Sequence, residues 1–146
     1  MTTVITESDL PLHLKTITSK QWNNLFQFIP EIKQSKNFGY LTPSKKNDEN
    51  IIEFPSYVQT DVVSRFEKTI YDLRLIFSFD WPAWEEGRKI LNSTSPDFEK
   101  LSIITLCKLI TVIVRSNRFC DGTLIMNFKN GIITNILEAI KKQTQN

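Results

Sequence analysis

Residues 115–122 read RSNRFCDG: two arginines three apart, then an aromatic, a cysteine, an aspartate and a glycine. Upstream, Lys108 and Thr111 precede Arg115 at helical spacing, so Lys108, Thr111, Arg115 and Arg118 form one stripe on a helix that is otherwise apolar. An unpaired buried charge is too costly to keep, so such a row must meet solvent, carboxylates or a bound anion. The plainer outcome is that Arg115 and Arg118 pair with Asp80, Glu85 or Asp121 and staple the tryptophan segment to the core. The chemical outcome is that both guanidinium forks, with the amides that open the next helix, hold a carboxylate or phosphate.

The neighbouring residues divide in the same way. Asp121 and Gly122 suit a cap and a tight turn between two helices. Trp81 and Trp84 suit inter-helix packing, or stacking on a base, or anchoring a partner protein. Cys120 follows a basic pair, which can lower a thiol pKa, but a nucleophile needs a base and the single histidine, His13, lies in the N-terminal arm. One histidine and two cysteines 13 apart offer no zinc-type spacing, so no metal or cofactor is expected. Glu85 and Glu86 are helix neighbours about 100° apart and do not converge on one substrate.

Composition sets outer bounds. The chain has 146 residues, 40% hydrophobic, 23% charged and 11% aromatic, enough for one domain with one core, and its four glycines disfavour a loop-rich β-sandwich. Eighteen basic residues against sixteen acidic leave a formal charge of +2, a balanced surface that does not point to nucleic acid. Two cysteines cannot form a disulfide framework, and Cys107 falls in a helical pattern; reduced thiols and a cytoplasmic setting are expected. The start MTTVITESDLPLHLK lacks a secretory pattern, and LSIITLCKLITVIV at 101–114 is shorter than the roughly 20 residues of a membrane span.

The elements that must position these residues follow from periodicity. Residues 1–18 show no helical period and are expected to be a weakly ordered or strand-like arm; residues 19–146 form one helical domain. Ser19 is placed as cap of a helix over about 19–29 that Pro30 interrupts and that continues to Ile32. Residues 33–57 mix turn residues and charges and are expected to be mostly loop with a short extended piece. Val62, Val63, Phe66, Ile70, Leu73 and Phe77 describe one face of a long helix. Asp80 with Pro82, and Ser95 with Pro96, each suggest a capped helix start.

Residues from about 101 to 117 are apolar almost all round, as in a helix surrounded by others. A short helix over about 122–129 ends at a left-handed Gly131, and a last helix over about 132–142 turns Ile133, Ile136, Leu137 and Ile140 inward. The expected fold is all-α, a bundle of about six helices around a buried central one.

Three segments carry a family resemblance: FPSYVQTDVVSRFEKTIYD at 54–72, FDWPAW at 79–84, and LITVIVRSNRFCDGTLIMNFKNGIITNILEAI at 109–140. They resemble a bacterial family catalogued as domain of unknown function 6508, over roughly residues 51–141. The resemblance implies that Arg115, Arg118, Phe119, Gly122, Phe128 and Gly131 are defining positions, and it brings no activity.

The first functional expectation is a non-enzymatic helical module of bacteria or their mobile elements that docks a protein partner. The second is a protein that binds or sequesters a small anion or nucleotide. The candidate residues are Lys108, Arg115, Arg118, Asp121, Trp81 and Trp84. A third, an enzyme using Cys120 or Asp121, requires a pocket containing them. The burial of Trp22, Trp81 and Trp84, and whatever caps the arginines, decide among the three.

Overall fold

A computed structural model of the chain describes residues 5–43, 45–46 and 52–145. Among these, eight α-helices, two single-turn 3-10 helices and two two-stranded antiparallel ladders surround one core. The helices are α1 Leu10–Thr16, α2 Ser19–Phe26, α3 Phe28–Gln34, α4 Asp61–Asp72, α5 Glu85–Asn92, α6 Ile103–Ser116, α7 Thr123–Lys129 and α8 Ile132–Thr144. The strands are β1 Gly39–Leu41, β2 Lys45–Lys46, β3 Ile52–Glu53 and β4 Tyr57–Gln59.

The central helix is α6, as its all-round apolarity requires. It buries Leu106, Cys107, Leu109, Ile110, Thr111, Ile113 and Val114. It packs against α5, α7, α8 and the 3-10 turn Trp81–Ala83. Its start is Ser102, whose Oγ accepts from the Thr105 amide at 3.2 Å; Ser95 and Pro96 lie ahead of a separate 3-10 turn, Phe98–Lys100. α8 buries Ile133, Ile136, Leu137 and Ile140 as its spacing demands, and it touches α2, α3, α6 and α7.

Several boundaries differ from the periodic reading, each for a local reason. Thr18, not Ser19, caps α2: its side chain accepts from the Gln21 amide, and Gln21 Oε1 accepts from the Thr18 amide at 2.8 Å, a reciprocal capping box. The break between α2 and α3 falls at Gln27, ahead of Pro30. A proline clashes with the carbonyl four residues back, here Phe26, yet is tolerated in a first turn, so the chain breaks before it and restarts around it.

The face running from Val62 to Phe77 is not one long helix. α4 stops at Asp72, where Arg74 adopts φ 58°, the Leu75 amide donates to Ile70 O at 3.1 Å and the Arg74 amide donates to Tyr71 O at 3.0 Å. This is a Schellman motif with arginine where glycine is usual, closed by the fully buried pair Ile70 and Leu75. Leu75, Ile76 and Phe77 then run on through the core as non-helical chain. Thr111 on α6 anchors that run, its hydroxyl shared between Leu75 O at 3.2 Å and Cys107 O at 3.0 Å.

The described part of the N-terminal arm, residues 5–18, is structured. Thr6 donates to the Asp9 carboxylate through its amide (3.1 Å) and hydroxyl (2.8 Å). Those two bonds hold the Asp9 carboxyl below its usual range. α1 follows and buries Leu10 completely. Ile5 O accepts from the Ser78 amide at 2.8 Å, Thr6 bridges Ser78 in a parallel pairing, and a His13 ring nitrogen lies 2.7 Å from Leu73 O. A seven-residue helix that buries Leu10 fully and Leu14 only partly leaves too short a period to read.

Of the 33–57 segment, residues 44 and 47–51 lie outside the described residues, and the rest contributes to two short ladders. β1 pairs with β4 in the register Tyr40↔Val58, and β2 pairs with β3. Tyr57, paired with Leu41, brings β4 to the turn between α6 and α7, where its amide donates to Asp121.

Candidate functional site

At the C-terminal end of α6 the helix gives way to a turn held by its own backbone: Phe119 and Cys120 amides both donate to Ser116 O, at 3.0 and 2.8 Å. The Asn117 side chain accepts from the Leu124 amide at 3.0 Å and ties this turn to α7. Gly122 follows with φ 90°. The RSNRFCDG stretch is therefore a rigid junction, and it presents Arg115 from the last turn of α6 and Arg118 and Phe119 from the turn itself.

These three side chains border a cleft of about 470 Å³. Its other walls are Phe77, Ser78 and Phe79 from the chain after α4, and Trp81 and Pro82 from the 3-10 turn. Phe77 and Phe79 stack with ring centroids 5.0 Å apart. Trp81 and Phe119 face each other at 6.1 Å, tilted by 41°. Phe119 is 81% exposed, whereas Phe77 at the back is 2% exposed. The cleft is a mostly aromatic recess with two guanidiniums and the serine hydroxyl as polar groups.

The carboxylates expected to pair with the arginines do not. Among the described residues no carboxylate comes within 4.0 Å of Arg115 or Arg118. Arg118 donates to the Tyr71 hydroxyl at 3.3 Å, which orients its fork without neutralising it. Arg115 also sits at the negative end of the α6 dipole, worth a few tenths of a kcal/mol at an exposed helix end.

The stripe itself splits into different roles. Thr111 is buried and structural. Lys108, 15% exposed at its side chain, pairs with Glu7 of the arm at 2.9 Å. Its ammonium lies 4.5 Å from the Trp84 ring centroid and 5.0 Å from that of Phe79. Lys108 therefore stands behind the aromatic wall and not among the residues that line the cleft. The ion pair that the sequence assigned to the arginines is made instead about two turns before Arg115, by Lys108 with a residue of the arm.

Trp84 packs edge-on to Phe79 at 5.7 Å and lies over Gly87. With Trp81, Pro82, Arg88, Leu91, Asn92, Val112 and Ser116 it lines a smaller recess of about 220 Å³ on the far side of the Trp81–Pro82 partition. Arg88 is bonded to Pro82 O and holds the partition in place. Trp22 is buried, while Trp81 and Trp84 are only partly so.

Asp121 belongs to neither recess and does not cap α7. Its carboxylate accepts from the Tyr57 amide at 3.0 Å, pinning β4 to the junction. Cys120 is exposed but lines neither recess, and Cys107 is fully buried, which pushes its thiol up to about 12. His13 is engaged with Leu73 O, far from both cysteines in the chain. Among the described residues no group of three or more His, Cys, Asp or Glu could hold a metal ion, and no helix is long and apolar enough to cross a membrane.

Sequence reasoning missed Phe77, Ser78 and Phe79 as cleft walls: Phe77 was read as part of the α4 face, and Ser78 and Phe79 carried no site role. It also missed Glu7 and Tyr71, whose partners are distant in sequence. Phe119 was visible inside the signature but carried no assigned role beyond membership.

A family of unknown function (DUF6508) matches residues 17–146, reaching further toward the N-terminus than the 51–141 resemblance and taking in α2 and α3. No curated protein and no solved structure matches the chain. The chain belongs to that family of unknown function.

Proposed function

We propose that this DUF6508 protein is a binding module that takes a small anionic ligand in the cleft between Arg115, Arg118 and the aromatic walls. One observation carries the reading: two guanidiniums with no carboxylate partner among the described residues border a recess of about 470 Å³. Arginine forks match carboxylate and phosphate oxygens bidentately, and each charge-assisted bond contributes about 1.5–3 kcal/mol. A bare anion held by two such forks in a half-open site should bind on the order of millimolar, about 4 kcal/mol. Lys108, Trp84 and Glu7 brace the wall from behind; Asp121 braces the junction. The buried thiol of Cys107 and the engaged imidazole of His13 support binding over catalysis.

Thermal unfolding at constant ionic strength tests this, with inorganic phosphate, pyrophosphate and citrate compared against chloride. Ligand at ten times its Kd should stabilise by about 1.4 kcal/mol, a shift of a few degrees. Arg115→Ala and Arg118→Ala should each remove the shift. No stabilisation at tens of millimolar, or equal shifts in the variants, would overturn the reading.

A second reading, docking of a protein partner, is favoured by the β1/β4 ladder. All four cross-strand neighbours Tyr40, Val58, Leu41 and Tyr57 are exposed, between 36% and 56%, with Phe54 beside them at 84%. The pairs Tyr40–Val58 and Leu41–Tyr57 lie on opposite faces of the ribbon, so each face carries an exposed apolar pair of the kind an interaction site uses. A Leu41→Glu, Phe54→Glu variant should lose specific cross-links that the unmodified chain makes in its host extract; identical cross-linking would remove the ladder from consideration.

A further inference from the structure

We infer that the ligand of the arginine cleft is a nucleoside monophosphate, an anion joined to a planar aromatic ring. The inference rests on the anion-binding reading and adds the ligand class. Phe119 is 81% exposed on the lip of the cleft, an unusual place for a phenyl ring, and it stands opposite Trp81 at 6.1 Å. Their 41° tilt leaves an open jaw and not a closed stack.

The rigid junction sets Phe119 directly after Arg118, so the guanidinium and the ring reach the same mouth. A ligand that offered only a phosphate would use the forks and leave both rings wet. A flat heteroaromatic attached to the phosphate covers them, since base stacking on aromatic side chains is favourable for every base. The two arginines are three residues apart and border the same cleft, and the net charge of +2 lacks the basic track that a polynucleotide needs. The recess falls in the size range of small-ligand sites.

The test uses the full chain in isothermal calorimetry at fixed ionic strength, with ribose 5-phosphate, the ribonucleoside 5′-monophosphates and a single-stranded oligonucleotide as probes. At least one monophosphate should bind about tenfold or more tighter than ribose 5-phosphate. Phe119→Ala should erase that gain, closing the gap between the monophosphate and ribose 5-phosphate when both are measured on the same variant, and Phe119→Tyr should keep it. The exposed position of Phe119 makes the variants compatible with the fold, which far-UV circular dichroism verifies. Monophosphates binding no tighter than ribose 5-phosphate would overturn the nucleotide assignment while the anion reading stands. Binding of none of the phosphates would overturn the anion reading itself. An oligonucleotide that outcompetes every monophosphate would also overturn the assignment, in favour of a polymer.

Discussion

Gly122 and Gly131 form a matched pair inside one molecule. Each is the N-cap of a helix, α7 and α8, with nearly the same backbone: φ 90°, ψ −3° and φ 84°, ψ 0°. Their surroundings differ. A Cβ on Gly122 would fall 2.6 to 2.9 Å from three atoms of the Tyr57 ring, whereas one on Gly131 would meet nothing within 4 Å.

An L-residue in the left-handed region costs about 1–2 kcal/mol, offset in part by the lower entropy of the unfolded chain. Gly131→Ala should therefore destabilise by about 1 kcal/mol. Gly122→Ala bears the same cost and must also displace Tyr57, whose amide is held by Asp121 but whose side chain is 41% exposed. The ring swings out and loses about 1–2 kcal/mol of apolar burial, for a total of about 2–3 kcal/mol.

Urea denaturation measures both, with unchanged m-values expected. In a Tyr57→Ala background the cost of Gly122→Ala should drop to that of Gly131→Ala, a coupling of about 1 kcal/mol or more. Equal costs for the two alanines, together with no coupling to Tyr57, would refute the idea that the signature glycine exists to seat β4 on the junction.

Thr111→Val removes a buried hydroxyl and leaves Leu75 O without that donor; it should cost about 1–2 kcal/mol by urea denaturation, and a neutral result would show that the bond does not hold the 75–77 run. Lys108→Ala should cost about 1–2 kcal/mol through lost packing and cation–π contact, Lys108→Met clearly less, and the half-exposed Glu7→Gln under about 1 kcal/mol; a methionine as damaging as alanine would shift the effect from the stem to the charge. In a thiol-reagent assay at pH 8, Cys120 should react rapidly in the folded chain and Cys107 only after unfolding. Thiolate is the reactive form, and burial keeps the Cys107 thiol protonated up to about pH 12; two fast thiols would contradict the buried position.

The legible parts of the chain were those whose signal is local. The all-round apolarity of about 101–117, realised as Ile103–Ser116, the inward set of α8 and the left-handed Gly131 were read correctly because period and glycine conformation are encoded within a turn or two. α1 was missed because one buried leucine makes no period. The Schellman stop at Arg74 was missed because its residue is not glycine, and the buried Leu75 and Phe77 continued the α4 stripe by coincidence of spacing.

The candidate site was half legible. Arg115 and Arg118 stood out by type and spacing, and Trp81 by its neighbours, and all three line the cleft. Lys108 and Trp84 proved to stand behind its wall and Asp121 to serve β4, because a charged group takes whichever partner the fold returns to it.

The sequence by itself determined α6, α7 and α8, the central position of α6 and the tight turn that ends it, since these depend on side-chain period and on glycine at a left-handed position. Only the tertiary structure decided which charges are satisfied. Asp121 meets Tyr57 across 64 residues, and Lys108 meets Glu7 of the arm. Arg115 and Arg118 are left facing an aromatic recess, because long-range return of the chain, and not spacing along it, chooses electrostatic partners.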